Sequence, residues 1–254
     1  MTITIFKNLE RARFLKVFKV LYCIKRNMKL RYDLVSNGIY DVYVISDDEY
    51  IGPAIARGQE WDRFMRRDVR MLHKPGTDII DIGANIGYNT LLFSDYGPVI
   101  SFEPLYYELV ELNVKNNILR YPVQVIPCAL SDEKSITKIY IPSHHGCQSN
   151  VLINYGGTSF HHQDEMRGEG VDVHCERLDD IYTGVPSFIK IDVEDHELQV
   201  LKGASETIKK HKPAILIEIH NFSEDSETHQ YLKSLGYGDP EERPEAVFVY
   251  KTFI

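Results

Sequence analysis

Cysteine and tryptophan are scarce in this chain of 254 residues, which holds four of the first and one of the second. Cys23, Cys128, Cys147 and Cys175 are scattered, and no CxxC pair occurs. That spacing argues against a disulfide scaffold or a zinc ribbon and predicts free thiols in a reducing compartment. No hydrophobic run approaches the ~20 residues of a bilayer span, and no secretory leader is evident, so the expected location is cytoplasmic. Internal repeats and low-complexity stretches are lacking as well. Glycine and proline (16 and 11 residues) stay near average usage, which leaves an ordinary globular protein, large enough to build a core without staples.

Positive charge is also in deficit, with 29 Lys and Arg against 37 Asp and Glu. The imbalance is uneven along the chain. Residues 1–31 carry nine basic side chains against Glu10 alone, so the body that follows is strongly acidic and repels phosphate backbones. Nucleic acid is therefore not the expected partner. Within the basic head, Phe14, Val17, Phe18, Leu21, Ile24 and Met28 recur at three- and four-residue steps, which predicts a helix with one apolar and one basic face. The expected arrangement packs the apolar face on the adjoining domain; peripheral contact with an anionic membrane through residues 1–31 is the alternative.

From residue 78 onward, short β-branched runs alternate with segments of helical period, the signature of parallel strands joined by crossover helices. Strands are expected at 78–82, 99–102, 123–128, 188–193 and 214–219, with helices near 88–96, 105–117 and 197–210. Upstream, Trp61, Phe64, Met65, Val69 and Leu72 form an apolar stripe that ends at Pro75-Gly76. A last helix closes at 231–235, and 246–253 reads as a strand paired antiparallel with one near Tyr237. Residues 143–172 lack periodicity and are rich in glycine, which reads as a long functional excursion.

The run DIIDIGANIGYNT sets Asp81, Gly83, Asn85 and Gly87 between a strand and a helix. Glycines there let the backbone turn sharply and approach a ligand, while the helix start offers N–H donors to an anionic group. Glu103 ends the next strand, 22 residues beyond Asp81, where an acid can accept both ribose hydroxyls. Together these indicate an adenosine-bearing cofactor. The dinucleotide pattern GxGxxG fails at Asn85 and Tyr88, and no GK[ST] follows for a phosphate loop. S-adenosylmethionine fits better, since it has no phosphates and carries an ammonium that Asp81 would attract.

At this point the chain resembles the class I methyltransferases and, within them, the FkbM family. The resemblance rests on DIGANIG (81–87), FEP (102–104), CALSD (128–132), LDD (178–180), IKIDVEDHELQVLKGA (189–204) and LIEIH (216–220), in the family's order and spacing. It implies a Rossmann-like α/β domain: a mostly parallel seven-stranded sheet, helices on both faces and an antiparallel C-terminal strand. On this reading residues 59–254 form the domain, and residues 1–58 add the basic helix and short strands. The likeness further implies that Asp81, Gly83, Ala84, Asn85 and Gly87 border the methionine part and that Glu103 holds the ribose, with Asn89 and Pro104 also among the cofactor-binding residues. Ala129 and Leu130, with Ser131 and Asp132 beside them, would border the adenine. Asp192 would lie near the sulfonium. Where the family has DVEGAE this chain has DVEDHE, so Asp195 and His196 replace two small residues.

The implied reaction is O-methylation of a small molecule or a sugar of a glycan by S-adenosylmethionine. A hydroxyl acceptor must lose its proton, which calls for a carboxylate or imidazole as general base. Glu194 follows Asp192 by two residues, and His220 follows Glu218 by two, so persisting strands would turn each pair to one side. Asp192, Glu194, Glu218 and His220 are thus the catalytic candidates, with His196 less favoured. Asp192, Glu194 and Glu218 also have the chemistry of magnesium ligands, and His144, His145, Cys147, His161, His162, His174 and Cys175 that of zinc ligands. No spacing fixes either set, and no metal is expected. Tyr155, Phe160 and His161 or His162 are expected to contact the acceptor. Two rival classes share parts of this pattern: a nicotinamide-dependent oxidoreductase, and a non-catalytic cofactor-binding module whose basic head docks a membrane or partner.

Overall fold

The computed structural model describes residues 30–142, 152–161 and 170–252. A hairpin of β1 (Tyr32–Ser36) and β2 (Asp41–Ile45) leads into α1 (Ile51–Ala56) and α2 (Arg63–Leu72). Then come β3 (Asp78–Ile82), α3 (Tyr88–Phe93), β4 (Val99–Phe102), α4 (Tyr107–Asn116) and β5 (Val123–Ile126). Three short strands follow, β6 (Ala129–Leu130), β7 (Ser135–Ile139) and β8 (Val171–Glu176), before α5 (Leu178–Ile181) and β9 (Pro186–Ile191). The chain continues through α6 (Glu197–Gly203), α7 (Ser205–His211), β10 (Ala214–Glu218), α8 (Glu227–Ser234), β11 (Glu241–Glu242) and β12 (Val247–Tyr250).

Seven strands form one sheet in the order β5-β4-β3-β9-β10-β12-β11. The first five are parallel; at the far side β12 runs antiparallel to β10, and β11 antiparallel to β12. All six residues of β9 are buried. Strand side chains alternate between faces, so burial of every one means both faces are covered, as the apolar composition of the strands demands. The chain winds outward from β3 through β4 to β5 and then returns to β9 on the other flank of β3. That reversal leaves a crevice at the carboxyl ends of β3 and β9, where open α/β sheets hold ligands.

Four expectations shift. The strand expected over 123–128 ends at Ile126, and Ala129–Leu130 joins a separate three-stranded sheet, β6-β8-β7. Its strands escape pattern reading because β6 has two residues and β7 alternates partly buried with exposed side chains up to Ile139. The helix expected over 197–210 breaks at Ala204, where Gly203 packs so closely on the Ser131 carbonyl that a Cβ would collide with it. The partner of the terminal strand is Glu241–Glu242 rather than a strand near Tyr237, whose buried hydroxyl donates to the Pro213 carbonyl at 2.7 Å. Finally, Arg31–Ile254 is one compact unit, so the boundary expected at residue 58 falls inside it. Asn113 shows how the hairpin joins: it bonds both backbone groups of Tyr43 (2.6 and 2.9 Å) and the Ile86 carbonyl (2.8 Å). The expected helix over 14–28 and His144, His145, Cys147 and His162 lie outside the described residues. Among the described residues no helix is long and apolar enough to cross a membrane.

Candidate active site

The turn after β3 is built on two glycines in the left-handed region, Gly83 (φ +76°) and Gly87 (φ +86°). A Cβ on Gly83 would collide with the Asp192 carbonyl, so the turn presses directly on the end of β9. Gly87 serves packing: its Cβ would come within 2.9 Å of Val110 on α4, and it does not border the cavity beside it. Glu103, buried just after β4, accepts the backbone N–H groups of Asn85 (2.9 Å), Leu105 (2.7 Å) and Tyr106 (2.9 Å). Its carboxylate therefore staples the glycine turn to the next strand end, in a fixed orientation.

Between these parts lies a cavity of about 350 Å³. Gly83, Ala84, Asn85 and Asn89 line one side of it, and Glu103, Pro104, Ala129 and Leu130 another. Asp192 reaches it from the end of β9. A nucleoside with an amino-acid tail suits this donor and acceptor set: an acid held at one end and, at the other, the buried Oδ1 of Asn89 with no hydrogen-bond partner among the described residues.

Asp81, expected at the cofactor, is placed elsewhere. It is fully buried, does not line the cavity, and accepts from Thr90 Oγ1 at 2.5 Å. The register of β3 and β9 sets Asp81 opposite Lys190, whose ammonium lies 3.7 Å from it, 3.1 Å from Asp192 and 2.7 Å from the Gly83 carbonyl. Burial disfavours the lysine's charge, but Asp192 and Asp81 outweigh it and raise its pKa. Burial likewise opposes the charge on Asp192, and Lys190 holds that carboxyl below its usual range. Lys190 was not singled out from the sequence. The signal was there: a lysine inside an apolar run predicted to be buried on both faces needs a charged partner.

The four catalytic candidates do converge, though not by persistence of the strands. β9 ends at Ile191 and β10 at Glu218. Pairing of Ile191 with Ile217 puts Asp192 beside Glu218 at the two strand ends. Glu194 is instead turned by left-handed backbone at Glu194 and Asp195 (φ 53° and 73°), which brings its Oε2 to 3.1 Å from His220 Nε2. Burial pushes Glu194 up to about 7, with the Asp192 charge adding and His220 easing the shift. Burial and the Asp192 charge also drive the Glu218 pKa up. For His220 burial acts downward, but the Glu194 bond and charge win and raise it. Donor atoms of Glu194, Glu218 and His220 lie within 4.8 Å of one another, the one such metal-competent group among the described residues.

Residues 152–161 border the same cavity. Backbone bonds tie Ile153 to Asp47 and Glu49, and the Tyr155 hydroxyl donates to Asp47 at 3.1 Å. At the other end Ser159 Oγ donates to the Glu194 carbonyl (2.8 Å), and Phe160 stacks on His196 at 4.0 Å. Tyr155 and Phe160 line the cavity; His161 Nε2 lies 3.3 Å from the Asp195 carbonyl. His196, half-buried and hydrogen-bonded to Ser131 (3.0 Å), is pushed down to about 4 by that burial, so it is a neutral packing group.

A family model described as the methyltransferase FkbM domain matches residues 81–238. The chain belongs to this family. Solved structures of similar fold include methyltransferase FkbM from Methylobacillus flagellatus KT, at 17% identity over 73% of this chain and 50% of that one (TM-score 0.45). A putative rRNA methylase from Clostridium thermocellum is 9% identical over 75% of this chain and 95% of that one (TM-score 0.44). The tRNA (uracil-54, C5)-methyltransferase of Pyrococcus abyssi, solved with S-adenosyl-L-homocysteine, is 12% identical over 87% of this chain and 43% of that one (TM-score 0.42). The chain thus spans half the length of the FkbM methyltransferase it matches. No curated protein matches it.

Proposed function

We propose that this FkbM-family chain methylates a hydroxyl group of a small molecule or a sugar, and that Glu194 and His220 remove the hydroxyl proton. The observation that carries this reading is one cavity with two chemistries: Glu103 and the glycine turn on one side, the Glu194–His220 pair on the other. Bound S-adenosylmethionine supplies an electrophilic methyl group on a sulfonium. The chain's part is to align the acceptor with that methyl, exclude water and accept a proton. Neutral His220, its Nε2 held toward Glu194 at 3.1 Å, takes it on Nδ1, and Glu194 stabilises the imidazolium that results. The segment 152–161 covers the reaction space. Gly83 wedged on Asp192 and the Glu103 staple keep the cofactor side rigid.

A competing oxidoreductase reading has less support, because Asn85 and Tyr88 stand where a pyrophosphate-binding turn needs glycine. The test is methyl transfer from isotope-labelled S-adenosylmethionine to a panel of alcohols, sugars and phenols, each paired with its amine or thiol counterpart. Label on hydroxylated members is expected. Label confined to amines, thiols or RNA would overturn the hydroxyl assignment, and cofactor binding with no transfer to any acceptor would favour the non-catalytic module.

A further inference from the structure

Asp81 accepts from Thr90 through Oδ2, has its Oδ1 3.7 Å from Lys190 Nζ, and does not line the cavity. Two other side chains face the cavity beside Gly83 and Ala84. Asp62 comes just before α2, outside the stretch that the family model matches, and Asn89 lies in the first turn of α3. Asn89 Nδ2 donates to Asp62 Oδ2 at 2.8 Å. A carboxylate only accepts, so this bond fixes the amide orientation and leaves Asn89 Oδ1 as the outward acceptor. That oxygen is buried and has no hydrogen-bond partner among the described residues. Such an atom is disfavoured unless something donates to it.

Helix capping does not account for Asp62. Its side chain makes no capping bond to the helix it precedes, and its backbone is left-handed (φ 49°), a conformation that a non-glycine residue holds at some expense. Burial pushes its carboxyl up to about 7; Asn89 eases this and the Asp192 charge adds to it. A cation against it would favour the charged form. Lys190 is already shared among Asp81, Asp192 and the Gly83 carbonyl. Two acceptor oxygens, one of them charged, facing the same cavity make a receptor for a group with several N–H donors and a positive charge.

We propose that Asp62 and Asn89 form the clamp for the α-ammonium of S-adenosylmethionine. This rests on the cofactor assignment above and replaces Asp81 in that role. The test is calorimetric binding of two ligands to the full chain: S-adenosylhomocysteine, which has the amino-acid end, and 5′-methylthioadenosine, which lacks it. Asp62→Asn is expected to weaken the first about 10- to 100-fold, the range of a charge-assisted hydrogen bond, and to leave the second within about twofold of wild type. Asn89→Ser should show the same selectivity at smaller amplitude, and it decides the matter should Asp62→Asn not fold. Equal loss for both ligands, or no loss for either, would overturn the clamp. Failure of wild type to bind S-adenosylhomocysteine at all would instead overturn the cofactor assignment.

Discussion

His220 and Glu194 form a hydrogen-bonded pair at 3.1 Å whose pKa values are both raised, Glu194 to about 7. The imidazole must be neutral to accept a proton, so turnover falls as pH drops through the raised His220 value, which lies above the ordinary 6.5. Glu194 favours the imidazolium, so Glu194→Gln is expected to move the acidic limb of the kcat profile toward lower pH. His220→Asn should lower kcat about 100-fold or more, the usual worth of a general base. A pH–rate profile of both variants checks this. An unshifted limb in Glu194→Gln would reduce Glu194 to a packing role. At this scale the sequence was partly legible. Acids two residues apart near strand ends marked Asp192, Glu194, Glu218 and His220, but the left-handed turn that delivers Glu194 is a backbone feature without a glycine to announce it. Asp62 was hidden for the same reason, and the burial of Asp81 beside Lys190 was hidden because spacing does not reveal a lysine on the neighbouring strand.

The turn between β9 and α6 concentrates the elements that order the acceptor side. Ser159 and His161 fasten to the carbonyls of Glu194 and Asp195, and Phe160 stacks on His196. Glu197, the first residue of α6, is 8% exposed, and its Oε1 accepts the Asp195 N–H at 3.2 Å. Burial raises its carboxyl from 4.5 to about 7. The folded state therefore binds more protons than the unfolded one between those values, and this residue's contribution to stability grows as pH falls from about 7 toward 4.5. Glu197→Gln removes the charge that burial penalises. It should raise stability at pH 8 by about 1 to 3 kcal/mol, with the gain vanishing near pH 5, as denaturant unfolding of both proteins would show. The central strands were readable because each is a β-branched run closed by a turn, and β3 and β4 match the expected bounds. The small sheet β6-β8-β7 was not, since two-residue and half-exposed strands leave little period to detect.

Across the whole molecule, the crevice follows from topology. Winding outward from β3 and returning at β9 places a glycine turn, a buried lysine and four catalytic candidates at one edge of the sheet, although more than 130 residues separate Asp81 from His220. Family membership covers residues 81–238, while Asp62 and the residues Asp47 and Glu49 that anchor segment 152–161 come from before it. The central claim is that this crevice holds the adenosine and amino-acid parts of S-adenosylmethionine, with Glu103 at the ribose. Isothermal titration of wild type and Glu103→Gln with S-adenosylhomocysteine and with NADH tests it most directly. The account predicts stoichiometric binding of S-adenosylhomocysteine to wild type, weakened at least about tenfold in Glu103→Gln, and no heat with NADH. Preference for NADH, or equal affinity of the two proteins for S-adenosylhomocysteine, would contradict it.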